Sequence, residues 1–283
     1  MDGVAIAILF WHKFDAFYRG GGIVTPLSYA EYILEEQKIS PEELLEGQKY
    51  WRDMLKDFDE QKHLPPVDIQ GVKAWTENEI EVPMKNIKRD FFKHKNFNEY
   101  TFMIAASMLA MAKITGTKES IMSWVYNGRM TRQEQHLMGT MLEQYPISYN
   151  FNQNLTVGEF LIDLEAKINE GMKYRKSLAF VYDEGLEDEC ITFILQKSNM
   201  NKGGILKIDN TDAVIQELPL NDYSAVENSL DIELNTEKNG TYTLVLDYDA
   251  SRYSEELMRK FAQILDDMLL ILQDENINLP NIV

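Results

Sequence analysis

The sequence of 283 residues has one cysteine, Cys190, and few basic side chains. A single cysteine excludes an internal disulfide framework and points to a reducing, cytoplasmic setting. Lys and Arg total 28 against 46 Asp and Glu, a formal charge of −18. Such a chain repels nucleic-acid phosphates and anionic membrane surfaces, which sets both aside as partners. Long hydrophobic runs are missing too. The apolar stretch Val4–Trp11 falls far short of a bilayer span, and Asp2 stands where a secretory signal carries basic residues.

Several chemistries also lose their usual residues. There is no G-x-G-x-x-G behind a strand and no G-x-x-x-x-G-K-[ST], so a doubly wound nucleotide binder is excluded. The G-x-S-x-G elbow of a serine nucleophile is absent. His12, His63, His94 and His136 lie far apart, none with Cys or carboxylate at ligand spacing, so no metal site is expected. His136 sits in a polar stretch and reads as a surface histidine. The acidic run Asp183–Glu189 lacks the Gly and Asp spacing of a calcium loop and reads as a solvated loop. No complete catalytic constellation is visible.

What is present is ample core: 45% of the residues are apolar. Val4, Ala7, Ile8, Trp11, Phe14 and Tyr18 form one helical stripe directly behind Asp2 and Gly3, stopped by Gly20, Gly21 and Gly22. A packed helix with no polar lead-in reads as a chain that starts inside a longer element. Over residues 40–58, Ser40, Pro41 and Glu43 make a helix start, with Leu44, Trp51, Leu55 and Phe58 as the buried stripe. The Pro/Gly-rich break His63–Gly71 marks a boundary between substructures, and a strand is expected over Ala74–Pro83.

Residues 98–115 are apolar nearly all round and end at Gly116, the pattern of a central helix packed on both sides. Ser120–Tyr126 reads as a buried strand leading into Asn127-Gly128-Arg129. Thr156 and Glu159 form a second capping box, ahead of a stripe of Val157, Phe160, Leu161, Leu164, Ile168 and Met172. Cys190–Gln196 is another buried strand. Leu230, Ile232 and Leu234 alternate inward ahead of a glycine turn and a returning strand, and Ser254 caps a last amphipathic helix. Long helices alternating with strands predict a layered α/β sandwich with a mixed sheet. Arg129 closes a buried strand. On local grounds it either reaches solvent from its loop or is buried with a partner, since unpairing a buried charge costs roughly 3–5 kcal/mol.

The order of these segments resembles the condensation domain of nonribosomal peptide synthetases, over essentially the whole chain. "MDG" and the helix behind it are similar to the end of that family's His-His-x-x-x-Asp-Gly motif and the helix that follows. "SYAEYILEEQ" resembles its Tyr-x-Asp-Tyr-x-x-Trp segment, with Glu31 for Asp and Leu34 or Glu35 for Trp. "EGQKYWRDMLKDF" is similar to its Tyr-Trp helix, and "YTFMIAASMLAMAKITGTKESIMSWVYNGR" to its long helix, Thr-Gly turn and strand ending in Gly-Arg. "MGTMLEQYPISYNF" resembles its Gly-x-Phe-Val-Asn-Thr-x-Pro-Leu strand; "CITFILQKSN" and "DYDASRYSEELMRKF" are similar to later segments. No single motif is decisive; their order and spacing carry the resemblance.

The resemblance implies a chloramphenicol-acetyltransferase-like fold, a two-layer sandwich with a mixed β-sheet packed by long helices. It implies that residues 1–65 are the end of an N-terminal lobe and 66–283 the C-terminal lobe. The motif histidines would then lie ahead of Met1, and the isolated chain is expected to be inactive. The implied reaction joins an acyl or peptidyl thioester to the amine of an aminoacyl thioester in peptide antibiotic biosynthesis. No cofactor is bound directly: the substrates ride on the phosphopantetheine of carrier proteins. The implied partners are donor and acceptor peptidyl carrier proteins and the missing N-terminal lobe. Asp2 would form a structural salt bridge with Arg129, and Gly3 would offer a backbone N–H to the reacting thioester. Asn127 and Glu143 are candidates for the tunnel wall.

Departures from the family pattern matter. Leu142-Glu143-Gln144 replaces Val-Asn-Thr, so Glu143 either alters acceptor preference or points to solvent. Val125, Asn127 and Met130 replace the glutamates and histidine of the related epimerisation domains, which argues against an epimerase. A cyclising subtype stays open. The competing readings are a non-catalytic docking module and a free-standing acyltransferase of the same superfamily.

Overall fold

A computed structural model describes residues 9–22, 28–56, 63–71, 74–129, 131–178, 191–197, 205–208, 211–214 and 229–282. Helices α1 (Trp11–Tyr18), α2 (Tyr29–Glu36) and α3 (Pro41–Leu55) precede strand β1 (Glu77–Met84). Helix α4 (Glu99–Thr115) feeds β2 (Glu119–Tyr126) and β3 (Glu143–Asn150), and α5 (Val157–Lys173) leads to β4 (Thr192–Lys197). A hairpin of β5 (Ile205–Ile208) and β6 (Thr211–Val214) stands ahead of β7 (Leu230–Thr236), β8 (Tyr242–Asp249) and α6 (Glu255–Ile271).

The main sheet has the order β1-β8-β7-β4-β2-β3. Strands β2, β4 and β7 run parallel; the other pairings are antiparallel. Register puts one side chain from each strand in a single row: Ile80, Leu246, Ile232, Phe193, Trp124 and Tyr145. All six are at most 5% exposed, so the row is the spine of the core. Period-two alternation sends their neighbours to the opposite face. That is why Glu77, Glu79, Glu81, Asp231, Glu233 and Asp247 share the outer side of β1, β7 and β8.

Helix α4 lies on the inner face, in contact with β2, α5 and α6. Asn98 starts it by accepting from the Thr101 N–H at 2.7 Å, and Gly116 ends it at φ 72°. Every residue from Thr101 to Ala112 is buried, as a helix apolar on all faces requires. Each large apolar side chain there, such as Phe102 or Leu109, contributes about 1.5–3 kcal/mol by leaving water.

Helix α3 has the reciprocal cap of Ser40 and Glu43 and buries Trp51, whose indole N–H donates to the Tyr174 carbonyl at 3.0 Å. Leu44 and Leu55 are half-buried, and Phe58 lies outside the described residues. The expected stripe of the first helix behaves differently. Helix α1 buries no side chain, and Phe14 and Tyr18 are exposed, stacked on one another at 6.3 Å. Val4, Ala7 and Ile8 lie outside the described residues, as do Asp183–Glu189 and Cys190. The strand expected from Ala74 starts at Glu77, and His63 is buried, with Nε2 3.8 Å from Glu119 Oε1. No described helix is long and apolar enough to cross a membrane.

Candidate functional site at the exit of strand β2

The sheet delivers the chain out of β2 through Asn127, Gly128 and Arg129. The Asn127 side-chain oxygen accepts from the Arg129 N–H at 3.0 Å, a local turn that asparagine favours. Gly128 adopts φ 66°, and a Cβ there would lie 2.1 Å from the Met141 carbonyl oxygen. Glycine is therefore required twice over: for the left-handed backbone and for the close approach.

This turn folds the Arg129 side chain inward, where it is 7% exposed. Its guanidinium donates to the carbonyls of Asn127 at 3.2 Å, Gly139 at 3.3 Å and Leu137 at 3.5 Å. One buried cation thus ties the exit of β2 to the segment that enters β3. Of the two readings that the residues left open, the buried one is what the structure contains. Asp2 and Gly3 lie outside the described residues.

Glu143 opens β3 directly opposite Tyr126. It is half-buried, and the Tyr145 hydroxyl donates to its Oε2. Burial pushes its carboxyl above the usual carboxylate range; Arg175 opposes that rise and Glu36 adds to it. Arg175 holds Glu36 through two contacts of 3.1 and 3.2 Å, and Lys176 approaches the same carboxylate at 3.6 Å. Burial first, then Glu36, Glu143 and Glu134, push the Tyr32 phenol far up. The Tyr126 phenol is also raised, chiefly by burial, and its hydroxyl has no hydrogen-bond partner among the described residues. The two tunnel-wall candidates thus flank one strand end without meeting. Asn127 is exposed, on the wall of a cavity of about 560 Å³ that Glu143 does not line.

Sequence reasoning missed Tyr32, Glu36 and Arg175 as neighbours of Glu143. The available signals were weak: Tyr32 and Glu36 fall in the "SYAEYILEEQ" stretch, and Arg175 in a basic "KYRK" behind α5. His136 is exposed. Among the described residues no group of His, Cys, Asp or Glu is arranged to hold a metal ion.

The architecture has known counterparts. The family model of the condensation domain matches residues 1–275, and the chain belongs to that family. The solved complex of the X-domain and OxyB from teicoplanin biosynthesis is similar at TM-score 0.76 and 12% identity, covering 100% of this chain and 67% of that one. The epimerization domain from the third module of tyrocidine synthetase B gives TM-score 0.71 and 16% identity, covering 97% and 67%. A four-domain nonribosomal peptide synthetase bound to AMP and glycine gives 0.74 and 14%, covering 99% of this chain and 23% of that one. The chain thus spans about two thirds of the single-domain neighbours, and its fold is chloramphenicol-acetyltransferase-like. A sequence search of curated proteins returns no match.

Proposed function

We propose that this chain is the larger part of a condensation domain that forms amide bonds in nonribosomal peptide synthesis. The donor is an acyl or peptidyl thioester and the acceptor an aminoacyl thioester, each on the phosphopantetheine of a peptidyl carrier protein. The acceptor nitrogen attacks the donor carbonyl carbon and a C–N bond forms. The C–S bond breaks, and the nitrogen's proton ends on the departing thiol. The observation that carries this reading is the family match over residues 1–275.

In this reading residues 1–65 complete an N-terminal lobe and 66–283 form the C-terminal one. Asp2 pairs with the buried Arg129, so that the salt bridge and the carbonyl contacts of Arg129 hold the motif loop against the β2 exit. Gly3 presents its N–H to the developing oxyanion. No two of the four histidines are adjacent in the sequence, so these residues alone do not supply the family's histidine pair.

The test supplies an N-terminal lobe of the family, with its histidine pair, fused ahead of residue 1. Loaded donor and acceptor carriers are added and the amide product is followed by mass spectrometry. Product from the fusion and none from the 283 residues alone is the expected result. Product from neither, with folded protein, overturns the catalytic reading. The similarity to an X-domain solved in complex with OxyB supports a second reading, a docking module for a partner enzyme. It predicts partner capture without amide formation.

A further inference from the structure

We propose that the cavity at the carboxyl ends of β2, β4 and β7 binds a neutral acyl group bearing an aromatic ring. The location is the first argument. Three parallel strands end at this cavity, and the first turn of α4 and the last turns of α5 close its sides. In α/β sheets the crevice beyond the strand ends is where ligands sit, because side chains and loops converge there without crossing the sheet. The volume of about 560 Å³ lies within the roughly 300–1,000 Å³ of small-molecule sites and well above the ~150 Å³ that benzene needs.

The lining sets the ligand's body. Tyr100, Tyr126, Met172 and Leu195 line the cavity and are only half-buried, unlike the fully covered residues of the adjoining core. Their apolar surface is therefore left for an occupant to cover. Trp124 meets Tyr100 edge-on at 5.5 Å and 66°, and Tyr100 meets Phe193 at 5.5 Å and 75°. The Tyr100 hydroxyl donates to the Val125 carbonyl at 2.7 Å, which fixes that ring. A rigid wall of ring edges and faces favours a further ring over a flexible chain, because aromatic pairs gain beyond the area they bury.

Charge sets the rest. The charged side chains on the described wall, Glu99 and Arg89, approach each other at 3.6 Å, and Glu99 also accepts from the Tyr242 hydroxyl at 2.5 Å. The pair carries no net charge, so the described wall as a whole favours neither a carboxylate nor an ammonium that must give up its water to enter. Exposed Asn127 and Asn169 border the cavity and offer amide groups to a carbonyl. That the acyl group arrives as a thioester rests on the function proposed above; the preference for a neutral aromatic body does not.

Calorimetric titration of the 283-residue chain with N-acetylcysteamine thioesters of phenylacetate, acetate and succinate tests the site. The phenylacetyl thioester is expected to bind at least about tenfold more tightly than the other two. Met172→Trp fills the cavity and Asn169→Trp, at an exposed helix position, obstructs it; each is expected to weaken phenylacetyl binding by at least about tenfold. Equal or absent binding of the three thioesters, or full affinity in a folded Asn169→Trp chain, overturns the proposal. A fused domain that makes no amide while the chain keeps its phenylacetyl preference removes the catalytic reading and leaves this site. Amide formation with no acyl preference does the reverse.

Discussion

The Tyr29 side chain lies against Gly139: a Cβ on Gly139 would sit 2.2 Å from Tyr29 Cδ2. The Tyr29 hydroxyl donates to the neighbouring Thr140 carbonyl at 2.6 Å, and the Gly139 carbonyl accepts from buried Arg129 at 3.3 Å. Helix α2 is thereby fastened to the same segment that Arg129 organises. Gly139→Ala is expected to push the ring away and cost about 1–3 kcal/mol, the range for overpacking. Tyr29→Ala in the same chain should remove most of that cost. Thermal melts of the two single variants and the double variant measure the coupling; strict additivity would refute the contact.

Gly116 and Gly128 share a left-handed backbone, φ 72° and 66°, but differ in surroundings. Nothing lies within 4 Å of a Cβ on Gly116, whereas one on Gly128 meets the Met141 carbonyl at 2.1 Å. Alanine at 116 therefore costs only the conformational term, about 1 kcal/mol. Alanine at 128 must also displace backbone, and is expected to cost at least about 1–2 kcal/mol more. Denaturant titrations of the two variants give the comparison; equal losses would mean that the β2 exit is looser than described.

Local chemistry made much of the fold legible. Ser40 with Glu43, Thr156 with Glu159 and Ser254 cap their helices as their spacing predicts, and Gly116 terminates α4. Leu230, Ile232 and Leu234 face the core because alternation is a property of the strand itself. Long-range relations were not legible. The parallel run of β2, β4 and β7 joins segments far apart in sequence, and Glu36 finds Arg175 across 139 positions. Helix α1 shows the limit most clearly: periodicity identifies its apolar stripe but says nothing about what covers it. The burial of Arg129 depends on carbonyls 8 and 10 residues downstream, which no local pattern announces.

Asp266 on α6 holds the end of the edge strand β1. Its Oδ1 accepts the backbone N–H of Lys85 at 3.0 Å and of Asn86 at 3.1 Å, and its Oδ2 accepts from the Asn86 side chain at 3.0 Å. It is 5% exposed, so water cannot replace it freely. Asp266→Ala strands these donors and is expected to cost about 2–4 kcal/mol. That corresponds to a drop in Tm of roughly 5–15 °C for a chain of this size. Asp266→Asn keeps an acceptor oxygen and should lose clearly less. Calorimetric melts decide, and a silent alanine would place the anchoring of β1 elsewhere.

Asp247 sits between Glu79 on β1 and Asp231 on β7, directly paired with both across the outer face of the sheet. Burial, then repulsion from Glu79, Asp231, Glu233 and Glu77, raises its carboxyl to about 7. An unfolded aspartate titrates near 3.9, so between about pH 4 and 7 the folded chain holds a proton that the unfolded chain has lost. Linkage then makes this group's contribution fall as pH rises through that window, with its cost fully present above 7. Asp247→Asn fixes the neutral form. It is expected to leave stability near pH 4 unchanged and to raise it at pH 8 by about 1 kcal/mol, after discounting for solvent screening at a half-exposed site. The shift in Tm is then about 2–4 °C. Melts of both chains from pH 4 to 8 measure the difference. Curves that stay parallel across the window would show that Asp247 ionises normally and that its neighbours do not crowd it.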